Sequence, residues 1–404
     1  MITPPHRAPF LVWPVASREF YLSIAVALLP TLAWAFVIFG WRVLGMFVGA
    51  TASAVLMHLL LNRFTVRGKL LIFPHSLVAA WVLVALADPQ WPIWIVSLIA
   101  LFIPPVLWLV GGPGKGRLHI AVILALVLQF GLVPLLQNVS PNTGAILARD
   151  RLVMGDIRSQ STLGVYQWPR SSEISGNDAL AMERPAHLAL VTLDQLARHL
   201  SHQDYWHSDG SLDIGARRHA QSLLDDALAK LPSMNHFLLG VSPGRAGAVF
   251  LIGLLGSGLF LAYRHILRSR SATFFLVVFS LFSALIALWP ACFDPGSGHF
   301  SFAPTATWRI YGAFPAETVT LLAFAILNSD AFFAAIIILA LPGTEPLTPR
   351  GRRGFLFFTS LLAAILHRSI LPIPAATVAI SIFMPLAPRF DQYFARRSWL
   401  NRSM

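Results

Sequence analysis

A carboxylate inside an apolar run is the clearest chemical signal in this chain. Asp330 follows Asn328 and Ser329 in the middle of a hydrophobic stretch covering 316–341. A charge at mid-membrane depth costs about 2.5–3.5 kcal/mol on insertion scales and by default marks a functional position. Two readings fit. In one, Asp330 and Asn328 belong to an ion path, as a proton or cation relay or as a carboxylate turned toward a partner. In the other, the run breaks and Asp330 caps a new helix before Ala331, as acids do at helix starts. Asn328 and Ser329 are the expected hydrogen-bond partners of the carboxylate. Glu317, two residues after Pro315, reads as first-turn charge. A second set is His199, His202, His207, His219 and His236. His199 and His202 share a helix face at i, i+3. No cysteine or carboxylate at ligand spacing joins them, so solvated histidines are expected and metal is not.

Most of the elements that must position these groups are apolar. Of 404 residues, 56% are hydrophobic and 12% charged, half the charge of a soluble domain. Such runs must satisfy their own backbone hydrogen bonds in lipid, so the fold class is an all-α polytopic membrane protein. The formal charge of +12 does not imply nucleic acid. The basic residues sit in short turns between apolar runs, where membrane orientation explains them. The single cysteine, Cys292, excludes an intrachain disulfide and cannot hold a four-thiolate cluster. No cleavable leader is expected, because the first long apolar run is preceded by a polar, Pro-rich tail.

Hydropathy divides the chain into a tail (1–19), a first membrane half (20–137), a polar insert (138–240), a second half (241–389) and a tail (390–404). Eleven of the 18 acids lie in the insert. Expected spans are 21–41, 43–61, 71–87, 92–110 and 118–136, then 247–263, 272–288, 316–341, 355–366 and 371–386. Gly45, Gly49, Ala50 and Ser53 permit close contact of the second span. The third is short and holds Pro74 and His75, which points to a broken or re-entrant element. Pro104-Pro105 is expected to kink the fourth. With ten crossings and the N-terminus inside, the inner loops carry 17 Lys/Arg against three acids. That bias places both termini in the cytoplasm and the insert outside. A bacterial inner membrane, with the insert periplasmic, is the expected location. Within the insert, 193–200 and 214–231 are amphipathic and are expected to cover a partner or the membrane surface.

The halves are alike in outline. Each has five spans, a third element bearing polar residues, and a Gly-rich basic turn, Gly114-Lys115-Gly116-Arg117 or Arg350-Gly351-Arg352-Arg353. Five is odd, so such halves would be inverted in the membrane, as in many carriers.

Several short motifs in order carry a family resemblance. They are Gly111-Gly112-Pro113-Gly114-Lys115, then Phe237-Leu238-Leu239-Gly240 with Pro243-Gly244 and Gly247, then Pro346-Leu347-Thr348-Pro349 with Gly351-Arg352. The last is Pro385-Leu386-Ala387-Pro388-Arg389-Phe390-Asp391. With these the chain resembles the RnfD/NqrB family. Its members are membrane subunits of the Rnf-type electron-transport complex and of the sodium-pumping NADH:quinone reductase. The resemblance implies ten helices as two inverted five-helix repeats, akin to urea and ammonium channels. It also implies electron transfer through FMN coupled to Na+ or H+ movement, with other membrane subunits as partners and quinone as an acceptor.

In that family FMN is joined through its phosphate to a threonine in a Ser-Gly-Ala-Thr-like motif on the outer side. Here the motif is not intact. One alignment uses Ser159, Ser161 and Thr162, with Thr162 as anchor and Arg158 and Arg170 near a phosphate. The rival uses Ser175-Gly176-Asn177-Asp178, where Asp178 cannot form the phosphoester and the covalent bond is lost. On that alignment FMN or riboflavin would be held without a bond. Gly116 replaces the family's usual Asn, Ala248 its usual Glu, and the insert is enlarged. The expected function is therefore a flavin-dependent, ion-translocating oxidoreductase subunit. Its alternatives are a solute channel of the same fold without redox work and a cofactor-free structural subunit.

Overall fold

The computed structural model describes residues 17–64, 73–87, 91–109, 122–123, 125, 185–200, 205, 212–230, 238–240, 245–248, 250–287, 312–368 and 374–400. Apolar runs become helices because lipid leaves no other partner for their backbone groups. The first half contributes α1 (Ser17–Phe39), α2 (Trp41–Phe64), α3 (Phe73–Leu86) and α4 (Ile93–Leu109). From the insert come α5 (Pro185–Leu200) and α6 (Ile214–Lys230). The second half begins with α7 (Leu251–Tyr263), α8 (Ser269–Ala287), α9 (Pro315–Leu327) and α10 (Ala331–Ile338). It ends with α11 (Pro349–Arg368), α12 (Ala375–Phe383) and α13 (Ala387–Leu400).

Among the described residues, three helices are long and apolar enough to cross a membrane, or four if α9 and α10 form one bent span. α3, α4 and α7 are shorter apolar helices. At 1.5 Å per residue, the 14 residues of α3 reach about 21 Å, short of the ~30 Å hydrocarbon core. Pro74 sits in its first turn, where a missing N–H costs nothing. Pro104 and Pro105 lie inside α4. The fifth expected span and the insert before 185 lie outside the described residues, apart from 122–123 and 125.

Small residues decide where helices touch. Gly49 of α2 faces α4 so closely that an added Cβ would stand 2.2 Å from Ser97 Oγ, and one on Gly45 would stand 2.7 Å from Ile93 Cδ1. α8 packs on α11, with the Ser360 hydroxyl donating to the Phe275 carbonyl at 3.2 Å. The halves are tied where the second begins. The Gly247 N–H donates to the Ala85 carbonyl at 2.8 Å, and Arg245 Nη1 donates to the Leu86 carbonyl at 2.6 Å. A cation at the C-terminal end of α3 offsets the helix dipole there. Ser257 of α7 donates to the Ala27 carbonyl of α1 at 2.6 Å, and Trp34 stacks on Phe250 with centroids 4.9 Å apart.

The amphipathic insert helices behave differently from expectation. The apolar stripe of α5, with Ala189, Leu193, Leu196 and Leu200, packs on Leu321, Phe324 and Ala325 of the chain's own α9. α6 closes over α5 through Ala220 and Leu224. Asp213 caps α6, accepting from the N–H groups of Gly215 at 2.8 Å and Ala216 at 3.2 Å. The stripe of α5 is thus spent inside the chain, because α9 offers a matching apolar face.

Candidate functional site

The candidate site lies where two interrupted helices meet. α9 stops at Leu327; the N–H groups of Asn328 and Ser329 bond back to the carbonyls of Phe324 at 3.0 Å and Ile326 at 3.2 Å. The chain then turns by 52° into α10. The last five residues of α10, Ala334–Ile338, form a π-turn, a feature frequent at functional positions.

Across from this break α12 starts after Pro374. Proline supplies no N–H and fixes φ, so the helix begins behind it, and the Val378 N–H bonds to the Pro374 carbonyl at 2.8 Å. The first N–H groups of a helix have no partner of their own. Here the Asp330 carboxylate supplies one, accepting from Ala376 N–H at 3.0 Å through Oδ1 and from Thr377 N–H at 2.8 Å through Oδ2. Asp330 is 6% exposed. Its position is thus a capping one, but the helix it caps is α12 and not α10, whose start it occupies without a side-chain cap bond. The Ala331 N–H goes instead to Ser329 Oγ at 3.2 Å, and that hydroxyl donates to the Ile326 carbonyl at 2.5 Å. The carboxylate's partners are therefore backbone groups 46 and 47 residues away, which no local pattern specifies. Asn328 enters through its backbone at the end of α9.

A carboxylate offers about four acceptor positions, and two are used by α12. Thr377, from whose N–H it accepts, also carries a buried hydroxyl that has no hydrogen-bond partner among the described residues. A buried orphan hydroxyl costs about 1–3 kcal/mol and calls for a functional account. Nothing in the local sequence singled Thr377 out. Only the start of α12 against Asp330 reveals it. The other end of the site is also polar. His367 Nε2 donates to the Ala325 carbonyl of α9 at 3.0 Å, and Arg368 donates to the Ile286 carbonyl at the end of α8.

A second constellation accounts for two of the sequence motifs. Asp391 of α13 accepts from Leu347 N–H at 2.9 Å, Thr348 N–H at 2.8 Å and the Thr348 hydroxyl at 2.7 Å. Thr348 Oγ1 also accepts from Gly351 N–H at 3.2 Å. A Cβ on Gly351 would fall 2.5 Å from Thr348 Oγ1 and 3.3 Å from the Phe390 carbonyl carbon, so glycine is needed for the close approach. Glu345 pairs with Arg352 at 3.1 Å and Arg268 at 3.8 Å, and accepts from the Ser271 hydroxyl at 3.2 Å. Burial pushes the Glu345 carboxyl above its ordinary range; Arg352, Ser271 and Arg268 pull the other way. The Pro346–Arg352 and Pro385–Asp391 motifs are thus two sides of one latch.

Arg158, Ser159 and Thr162 lie outside the described residues, as do Ser175 to Asp178. Of the histidines, His199 donates to the Ala216 carbonyl at 3.4 Å and packs its ring on His219 at 4.6 Å.

Apolar helices with a charged break and a polar latch define a polytopic membrane protein. The chain belongs to the NQR2, RnfD, RnfE family, whose model matches residues 6–399. No curated protein matches the chain significantly. Family membership makes it a membrane subunit of the Rnf/Nqr type of complex.

Proposed function

We propose that this subunit moves Na+ or H+ through its membrane halves while its complex passes electrons through FMN to a quinone acceptor. The observation that carries the reading is Asp330. It is a buried carboxylate with spare acceptor positions, at the junction of α9, α10 and α12, beside the orphan Thr377 hydroxyl. Half-helix C-termini present carbonyls to cations, and α9 ends here with Asn328. The proposed ion path therefore runs through Asp330 and Asn328. Packing of α2 on α4 and of α8 on α11 supports two like halves. Five spans in each would invert them in the membrane, and the basic bias of the inner loops would put the insert on the outer face.

FMN would supply one- and two-electron chemistry near the outer face, held by Thr162 with Ser159 and Arg158. Fluorescence of the denatured chain in a gel tests this: it is expected to persist in the wild type and vanish in Thr162→Ala. For the ion path, the complex in sealed vesicles is driven by electron donor and ion uptake is followed. Thr377→Val keeps shape and removes the hydroxyl. At least a fivefold fall in ions moved per electron is expected, with assembly intact. Electron transfer without any ion movement in the wild type would favour a structural subunit. Solute flux without redox activity would favour a channel.

A further inference from the structure

In the first half, at the Arg63 end of α2, His58 meets Ser76 of α3, and His75 beside that serine meets Tyr21 of α1. His58 of α2 is buried at 3% exposure. The Asn62 amide lies 2.9 Å from its Nε2, and the Ser76 hydroxyl of α3 lies 3.5 Å from its Nδ1. With the Asn62 nitrogen as donor, Nε2 accepts and Nδ1 carries the proton of the neutral ring. His75, next to Ser76, is packed against the ring of Tyr21 of α1, centroids 4.6 Å apart. Its Nδ1 is buried and has no hydrogen-bond partner among the described residues.

We propose that His58 and His75 form a proton-accepting site for the ion path, loaded from the aqueous phase at the Arg63 end. The proposal rests on the ion-moving reading above and names its ion as H+.

The chemistry excludes a simple alkali-cation site. Hard cations take oxygen ligands, whereas imidazole nitrogen is a proton carrier. An asparagine suits both states of His58. Its NH2 donates to the neutral ring, and after an amide flip its carbonyl accepts from the imidazolium. In the Nε2–H tautomer of His75, Nδ1 holds a free lone pair. One proton from water adds there to give the imidazolium, and leaves by the reverse step with no other bond changed. Arg63 is exposed, one residue beyond Asn62 and about a turn and a half beyond His58. The other titratable groups on the elements around α3 are few among the described residues. α1 adds Arg18 and Glu19, both exposed at the same end; α2 adds Arg63 and, at its far end, Arg42; α4 adds none.

The experiment uses the whole complex in bilayers with 15N-labelled histidine. Signals are assigned by difference against His58→Gln and His75→Gln. His58 and His75 ring nitrogens are expected to take up protons on acidification and to exchange with deuterium in the dark, undriven state. In driven vesicles, the double variant is expected to move at least tenfold fewer protons per electron, while uncoupled electron transfer stays within twofold. Rings that remain neutral and unexchanged throughout, or proton movement unchanged in the double variant, overturn the proposal. Should the wild type move no ion on electron transfer although both rings titrate, the ion-moving reading falls and the protonatable site stands. Wild-type Na+ uptake with silent histidines leaves that reading intact and removes the proton site.

Discussion

Asp330 and Asp391 perform the same local task in different surroundings. Each accepts two backbone N–H groups at or just before the start of a helix on a distant segment, Ala376 and Thr377 for one, Leu347 and Thr348 for the other. Asp391 is half-exposed and lies in the latch beside Arg352, with the Thr348 hydroxyl as a third donor. Asp330 is buried, and among the described residues no ion pair joins it. Water can take over what Asp391 does, and the Arg352 guanidinium beside it offsets its charge. At Asp330, among the described residues, the carboxylate faces the positive end of α12, equivalent to about half a charge. The pair separates a structural cap from a cap whose charge is left over for other work.

The strongest test of that contrast is Asp330→Ala. Two buried N–H groups lose their acceptor, at about 1–3 kcal/mol each, so little assembled complex is expected on a native gel. Gly247→Ala comes next. A Cβ there would lie 2.3 Å from Ala85 Cβ and 2.9 Å from Ala85 Cα. Overpacking of this kind costs about 1–3 kcal/mol, and a lowered thermal midpoint in detergent is expected. Asp391→Ala should cost less, about 0.5–2 kcal/mol as for an ordinary cap, because water reaches the freed N–H groups. A loss at Asp391 equal to that at Asp330 would erase the distinction between them.

The smallest effect concerns Glu345 and is read through pH. Its carboxyl is raised in the fold, mainly by burial. The folded state then holds this proton more tightly than the unfolded chain. The associated stabilisation is full below the unfolded value, near 4.5, and is lost as pH rises through the folded value. Thermal midpoints measured upward from pH 4 should therefore fall more steeply in the wild type than in Glu345→Gln. Parallel slopes would show that Arg352 and Arg268 compensate the burial fully.

Much of this architecture was legible in the residues. The break before Ala331 follows from Asn328-Ser329-Asp330 inside an apolar run, and the short α3 from the short apolar run 71–87. Gly45 and Gly49 announced close packing and found it against Ile93 and Ser97 of α4. The family motifs were visible as strings, but their purpose was not. Asp391 meeting Thr348, and Gly351 making room for it, join segments some forty residues apart. Thr377, Tyr21 and His58 looked like ordinary span residues, and Asn62 like the first residue after a span. Their roles depend on which neighbour lies within 3–4 Å, and helical periodicity carries no such information.

By itself, then, the sequence determined the lipid-facing class, the helical periods and the places where helices must stop. These follow from hydrophobicity, proline and backbone satisfaction, which act within a few residues. Only the tertiary structure decided whom each polar group serves. Asp330 caps α12 instead of α10, and α5 covers α9 instead of a foreign surface. The reason is that buried donors and apolar stripes take whichever complementary group the packing brings close, and that choice is made between helices.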